Sequence, residues 1–246
     1  GEIEAYLQTL GERYLIAFTP EQIALHMECL EEALCAGIAL RISTNPTIGA
    51  SEVVVCTRDC HGLFSKITGS FASQLINVQS AALFTREDGW VVDCFTVEDA
   101  AQKRPLTKNE FVTLKSVLYQ VIIEECDVKA LVEQSKNKLF ALQQSTIPVC
   151  TIVELNNEAS HTDTVIDIVT GDRTGLLYDI SSTLSSMGID FSSAHIMTDV
   201  GRVRDSFYVK YNNRKLEEME LQDRVRRQLL ECIHPMHAHE MKEENE

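Results

Sequence analysis

The sequence predicts an α+β chain made of two tandem ferredoxin-like βαββαβ units behind an N-terminal helical lead-in. The first observation behind this is that the chain repeats itself. Asp59-Cys60-His61-Gly62-Leu63 aligns with Asp172-Arg173-Thr174-Gly175-Leu176, and the same shift pairs Ile67 with Ile180, Ile76 with Ile189, Ser80-Ala81 with Ser193-Ala194, and Thr85 with Thr198. After one deletion, Asp93, Phe95 and Val97 meet Asp205, Phe207 and Val209. A self-match sustained over that length marks a structural repeat. The second observation is that the hydrophobic pattern of both copies passes from strand to helix to hairpin to helix in the same order.

Taken in order, each copy opens on a β-rich run, Val53 to Thr57 or Thr164 to Thr170, and turns at the glycine of an Asp-x-x-Gly-Leu loop. Apolar residues then recur every three or four positions, at Leu63, Ile67, Phe71 and Leu75 and at Leu176, Ile180, Leu184 and Met187, which is one buried face of a helix. Ile76 to Thr85 and Trp90 to Val97 flank Asp88-Gly89, a dipeptide suited to a tight hairpin, and Val200-Gly201 takes that place in the second copy. Helices over Lys108 to Glu125 and Glu217 to Cys232 follow, leaving one strand to complete a split βαβ sandwich.

The position of that last strand is left open. Asp127 to Gln144 has helical spacing, and the strand-like run Ile147 to Leu155 fits as the last strand of either copy or as an added hairpin on the second. At the front, Thr19-Pro20-Glu21-Gln22 supplies an N-cap threonine, a first-turn proline and a capping-box glutamine, so a helix should run to about Ala36 and stop at Gly37. The expected divisions are a helical lead-in over 1–50, a first domain with an extra helix over 51–145, a second domain with an extra strand over 146–235, and a disordered acidic tail over 236–246.

Composition narrows the functional classes. Hydrophobic residues make up 44% and charged residues 24% of the 246, the balance of a soluble globular chain. With no membrane-length apolar run and no signal-peptide pattern at Gly1 to Gln8, a cytoplasmic protein without a membrane partner is expected. The net charge of −15 opposes nucleic-acid binding. The 8 cysteines, among them Cys56, Cys94 and Cys150, lie mostly in apolar runs and read as reduced thiols. Past the helix-breaking Pro235, His237 and His239 join His234 in a polar tail rather than a metal site.

Thr57-Arg58-Asp59-Cys60-His61-Gly62-Leu63-Phe64, with Leu83-Phe84-Thr85 and Asp93-Cys94-Phe95-Thr96-Val97 downstream, resembles an ACT domain. The second copy, with Gly171-Asp172-Arg173-Thr174-Gly175-Leu176-Leu177 and Arg202 to Val209, is similar to the C-terminal ACT domain of the bifunctional PII uridylyltransferase/uridylyl-removing enzyme family. Tyr14-Leu15, Pro20 to Ile23 and His26 resemble the segment that joins that family's hydrolase domain to its regulatory tail. The resemblance implies an allosteric region that senses glutamine and, within a larger enzyme controlling nitrogen assimilation, answers to catalytic domains and to the PII protein. A homodimer through ACT domains is a further expected partnership. Neither the nucleotidyltransferase nor the metal-hydrolase motif occurs in this chain. No catalytic residue, metal site or cofactor is therefore expected here, and Mg²⁺ would belong to the absent catalytic domain. His61 and Thr174 stand where the family has proline, which makes both loops less rigid.

A free amino acid needs an anion for its ammonium beside backbone donors for its carboxylate. Each loop offers both: Asp59 or Asp172 as the anion, and the N-terminus of the helix that follows Gly62 or Gly175 as the donor cluster. The candidate set is Thr57, Asp59, Cys60, His61, Gly62 and Leu63 with Asn77, and Gly171, Asp172, Arg173, Thr174, Gly175 and Leu176 with Asp190. Asn77 and Asp190 enter by resemblance to amino-acid-binding ACT domains. Against this stands the plainer reading that the aspartates only cap turns and that the chain is a ligand-free dimerisation module. Asp93 and Asp205, in phase with buried strand residues, are read as structural hydrogen-bond acceptors.

Overall fold

The computed structural model describes residues 14–45, 47–142, 150–199 and 202–234. Its elements run α1 (Pro20–Ala36), β1 (Ile38–Asn45), β2 (Ala50–Arg58), α2 (Leu63–Ser73), β3 (Ile76–Ala82), β4 (Trp90–Asp99), α3 (Lys108–Ile122) and α4 (Val128–Leu142). They continue as β5 (Ile152–Asn156), β6 (Thr164–Gly171), α5 (Leu176–Ser186), β7 (Ile189–His195), β8 (Thr198–Asp199), β9 (Arg202–Tyr211) and α6 (Met219–Ile233). The tandem α+β sandwich is as expected. The Val200-Gly201 turn, Ile147, His237, His239 and the tail 236–246 lie outside the described residues.

Local chemistry sets α1 where the sequence put it. Thr19 and Gln22 form both halves of the capping box, and Gly37 ends the helix in the left-handed region at φ 83°. The lead-in is not helical throughout, however. Beyond Gly37 the run Ile38-Ala39-Leu40 is fully buried and forms β1, antiparallel to β2 with Ile38 opposite Thr57 and Asn45 opposite Ala50. Ile38, Leu40 and Ile42 alternate toward the main core with Ala39 and Arg41 between them, a strand pattern set directly against the end of α1.

The strand whose position the sequence leaves open therefore comes first in both units. β1 lies against β2, and β5 lies against β6 with Ile152 opposite Val169. Each unit runs ββαββα, and its closing strand occupies the same sheet edge as the last strand of a βαββαβ chain. The sheet order is β1-β2-β4-β3-β7-β9-β6-β5, with β8 beside β9.

The two units share this sheet across one seam, where β3 and β7 meet at Ala82 and His195. Those residues answer to each other in the repeat. So do Thr68 and Ser181, whose hydroxyls lie 2.9 Å apart where α2 crosses α5. Two pairs that each join a residue to its own counterpart define a local two-fold axis through the seam. The crossing is close because Gly69 has no Cβ: one added there would sit 2.6 Å from Val128 Cγ2 and 2.8 Å from the Tyr178 ring. α4 packs along α2, and Ser135 Oγ donates to the Ser73 carbonyl at 2.8 Å.

The main core lies between the sheet and α2, α3, α5 and α6, with Phe71, Leu114, Ile180 and Phe207 buried in it. A smaller cluster on the opposite face packs α1 over the first unit through Tyr14, Cys29, Leu30, Ala33, Val54 and Cys56. All eight cysteines are free, and Cys150 is exposed rather than packed. Among the described residues no helix is long and apolar enough to cross a membrane.

Candidate functional site

Each Asp-x-x-Gly-Leu loop joins a strand end to a helix start, and the local axis lays it beside the other unit. Gly62 and Gly175 are N-caps at φ 71° and 85°, conformations that cost a residue with a Cβ, and no side chain caps either helix. Both glycines face the opposing unit: Gly62 approaches Ser185, and Gly175 approaches Ala72, the counterpart of Ser185.

This cross-wise placement changes which residues share a site. Asn77 does not join Asp59, and Asp190 does not join Asp172. Instead His61 Nδ1 lies 2.9 Å from Asp190 Oδ1, so the loop of the first unit meets β7 of the second. Asp172 in turn lies beside Asn77 on β3 of the first unit.

The first of these sites is open. A cavity of about 550 Å³ is lined by Asp59, Cys60, His61 and Gly62 from one unit and by Asp190, Lys210 and Asn213 from the other. Phe64 and Phe191 form an apolar wall, with ring centroids 5.0 Å apart. Partial desolvation raises the Asp59 carboxyl above its ordinary pKa, and the nearby Asp190 adds to this. The first turn of α2 presents its positive dipole end to the cavity.

The counterpart site is filled, with only about 20 Å³ left beside Asp172, Asn77 and Gly175. Where the open site has Asp190 and Lys210, this one has Asn77 and Glu98. The Glu98 carboxylate accepts from Lys103 at 2.9 Å and from Gln79 at 2.7 Å, with Asn77 Nδ2 at 3.4 Å. Leu139 of α4 closes over Gly175. Burial raises the Asp172 carboxyl, and the Lys103 ammonium and Asn77 act against that rise.

Several candidates make contacts within the fold. Thr57 is buried and donates to the Gly37 carbonyl at 2.9 Å. Gly171 ends β6 opposite Arg202, and Thr174 and Leu176 are buried. Arg173 is held by Asp179 at 2.6 Å and by the Cys232 carbonyl at 3.0 Å. Leu63 packs in the core and only borders the open cavity. Asp93 and Asp205 behind the loops are buried, and each accepts a backbone N–H, from Phe84 and Met197, at 3.4 Å. Burial pushes Asp205 up to about 7 and Asp93 well above the carboxylate range. Lys210 and Asn213 were not legible as site residues, because nothing in a linear repeat says that each copy completes the other's site.

Among the described residues no group of His, Cys, Asp or Glu is arranged to hold a metal ion. Two sandwiches mated edge to edge, with glycine-loop sites on their shared seam, define a tandem ACT-domain protein. Residues 152–242 match the family model described as ACR9-like, ACT-like domain. The chain is similar to part of the bifunctional uridylyltransferase/uridylyl-removing enzymes. It is 34% identical over 210 residues to that enzyme from Rhodospirillum rubrum, covering 84% of this chain and 22% of the enzyme. To the Azospirillum brasilense enzyme it is 30% identical over 213 residues, covering 85% of this chain and 23% of the enzyme. The chain thus spans under a quarter of the length of these relatives. Aspartate kinase from Synechocystis overlaps 76% of this chain and 27% of its own at 12% identity and a TM-score of 0.39, too loosely to carry an argument.

Proposed function

We propose that this chain is an amino-acid-sensing regulatory region that takes one ligand, glutamine, in the open seam cavity. In that reading it controls a uridylyltransferase/uridylyl-removing activity toward PII in nitrogen assimilation. The supporting observation is the cavity itself. It unites a desolvated carboxylate, an uncapped helix N-terminus and a lysine from the neighbouring unit in a volume suited to a small molecule. The ligand ammonium pairs with Asp59 and Asp190, its carboxylate takes the α2 N-terminus, and its side-chain amide reaches toward Lys210 and Asn213.

A ligand held there touches both units. Its binding energy can therefore favour one seam geometry over another, which is what coupling of about 1–3 kcal/mol to a distant activity requires. Titration calorimetry with glutamine tests the reading, with glutamate, other amino acids and nucleotides as controls. Saturable heat for glutamine alone is expected, and no heat for any amino acid contradicts it. The ligand-free interaction module is favoured by the counterpart site, whose polar groups satisfy one another. The contrast argues for one ligand per chain, because the open cavity keeps about 550 Å³ even with His61 and Asp190 paired inside it.

A further inference from the structure

The face of the sheet opposite α2, α3, α5 and α6 carries a second hollow, apart from both loops. α1 covers this face over the first unit only, and between its N-terminal half and the seam lies a cavity of about 420 Å³. Strand register fixes the floor. Arg41 lies opposite Val54, Val54 opposite Cys94, Cys94 opposite Ala82, Ala82 opposite His195, and His195 opposite Ser206. One row of outward positions therefore crosses from β1 to β9.

The centre of that row is short, and the shortness belongs to the first unit. At the positions that answer to Ala82 and Thr96, the second unit has His195 and Tyr208, whose rings pack edge to face at 5.9 Å and occupy the space. Phe18 and Leu25 wall the hollow on one side and Met197 on the other. The hollow comes from these substitutions and the partial cover of α1, not from the fold as such.

Its polar groups are unevenly committed. His26 is only 2% exposed, and its Nδ1 lies 2.6 Å from the Tyr14 hydroxyl. Its other ring nitrogen, Nε2, faces the hollow, where its neighbour is the Cys94 sulfur at 3.7 Å. Burial keeps the ring neutral by pushing its pKa down to about 4. Arg41 is held by Glu32 at 2.6 Å, and Glu52 accepts from Asn45 and Ser43. Arg204, exposed at the seam end, has no carboxylate partner among the described residues. The hollow thus has an apolar middle, a buried imidazole nitrogen and a cation at one end.

We propose that this hollow binds a small organic acid with a flat apolar body, of arylacetate size. Its carboxylate pairs with Arg204, and its ring lies on Ala82 between Phe18 and Met197. The site is independent of the glutamine reading, since it shares no residue with the loop cavity. It straddles the same seam, so an acid bound there also touches both units.

Phenylacetate titrated into the full chain, followed by calorimetry and by saturation-transfer NMR, tests this, with phenylacetamide as the uncharged control. The expected results are saturable phenylacetate binding and at least tenfold weaker binding of the amide. Arg204→Ala lowers phenylacetate affinity at least tenfold, and Asp59→Asn leaves it unchanged. Ala82→Phe abolishes binding, and Thr96→Tyr, which copies the second unit, does the same with circular dichroism unaltered. No saturable phenylacetate binding overturns the proposal. So does affinity that is indifferent to Arg204→Ala and Thr96→Tyr, or that is lost in Asp59→Asn.

Discussion

The hydroxyls of Thr68 and Ser181 meet at 2.9 Å across the crossing of α2 and α5, joining a residue to its own repeat counterpart. The two hydroxyls carry two protons between them: whichever donates across the crossing gives up its own helix carbonyl, Phe64 at 2.9 Å from Thr68 or Tyr178 at 3.1 Å from Ser181, while the other keeps its own. The cross-helix contact is therefore the part that ties the two units. Thr68→Val and Ser181→Ala should each cost about 0.5–1.5 kcal/mol in urea unfolding, and the double variant less than the sum of the singles. Additive losses would mean that the pair does not couple the units.

One turn position away, Gly69 sets how closely the helices approach. The Cβ of Gly69→Ala would meet Val128 and Tyr178 inside van der Waals distance, so the seam must open or those side chains must move. A loss of about 1–3 kcal/mol is expected, although alanine is the better helix former. Thermal unfolding checks this, and a stabilised variant would contradict the packing.

Asp205 gives the fold a pH dependence of known sign. Its carboxyl titrates at about 7 in the folded chain because it is buried, against an ordinary 3.8. Between those values the folded state holds the extra proton, so this group's contribution to stability falls as pH rises from about 4 to about 7 and is flat above. His26 acts in the opposite sense: burial lowers its pKa to about 4, so stability is lost as pH falls from about 6.5 through 4. Asp205→Asn keeps an acceptor for the Met197 N–H and removes only the first trend. The stability difference between variant and parent should therefore grow in the variant's favour from pH 4 to 7. A difference constant with pH would show that Asp205 is not desolvated.

Much of the fold was legible because local signals agreed. The Thr19/Gln22 capping box, the Asp88-Gly89 turn and the three-to-four spacing along α2 and α5 each depend on residues close in sequence. β1 escaped although Ile38, Leu40 and Ile42 alternate in the sequence, because that short run follows directly on α1 and reads as its continuation. The site was half legible. Asp59 and its glycine loop are visible in the sequence, but the pairing of that loop with Asp190 rather than Asn77 follows from an axis that only the folded seam creates. The filling of the counterpart site depends on Lys103, Glu98 and Leu139, which no loop motif points to.

The most direct measurement is the calorimetric stoichiometry of glutamine on three chains: the parent, Asp59→Asn and Asp172→Asn. Since Asp59 stands in the open cavity and Asp172 in the filled one, one glutamine per parent chain is expected, lost in Asp59→Asn and kept in Asp172→Asn. Two glutamines per chain, or binding that survives in Asp59→Asn and fails in Asp172→Asn, would contradict the assignment of the ligand to the open seam.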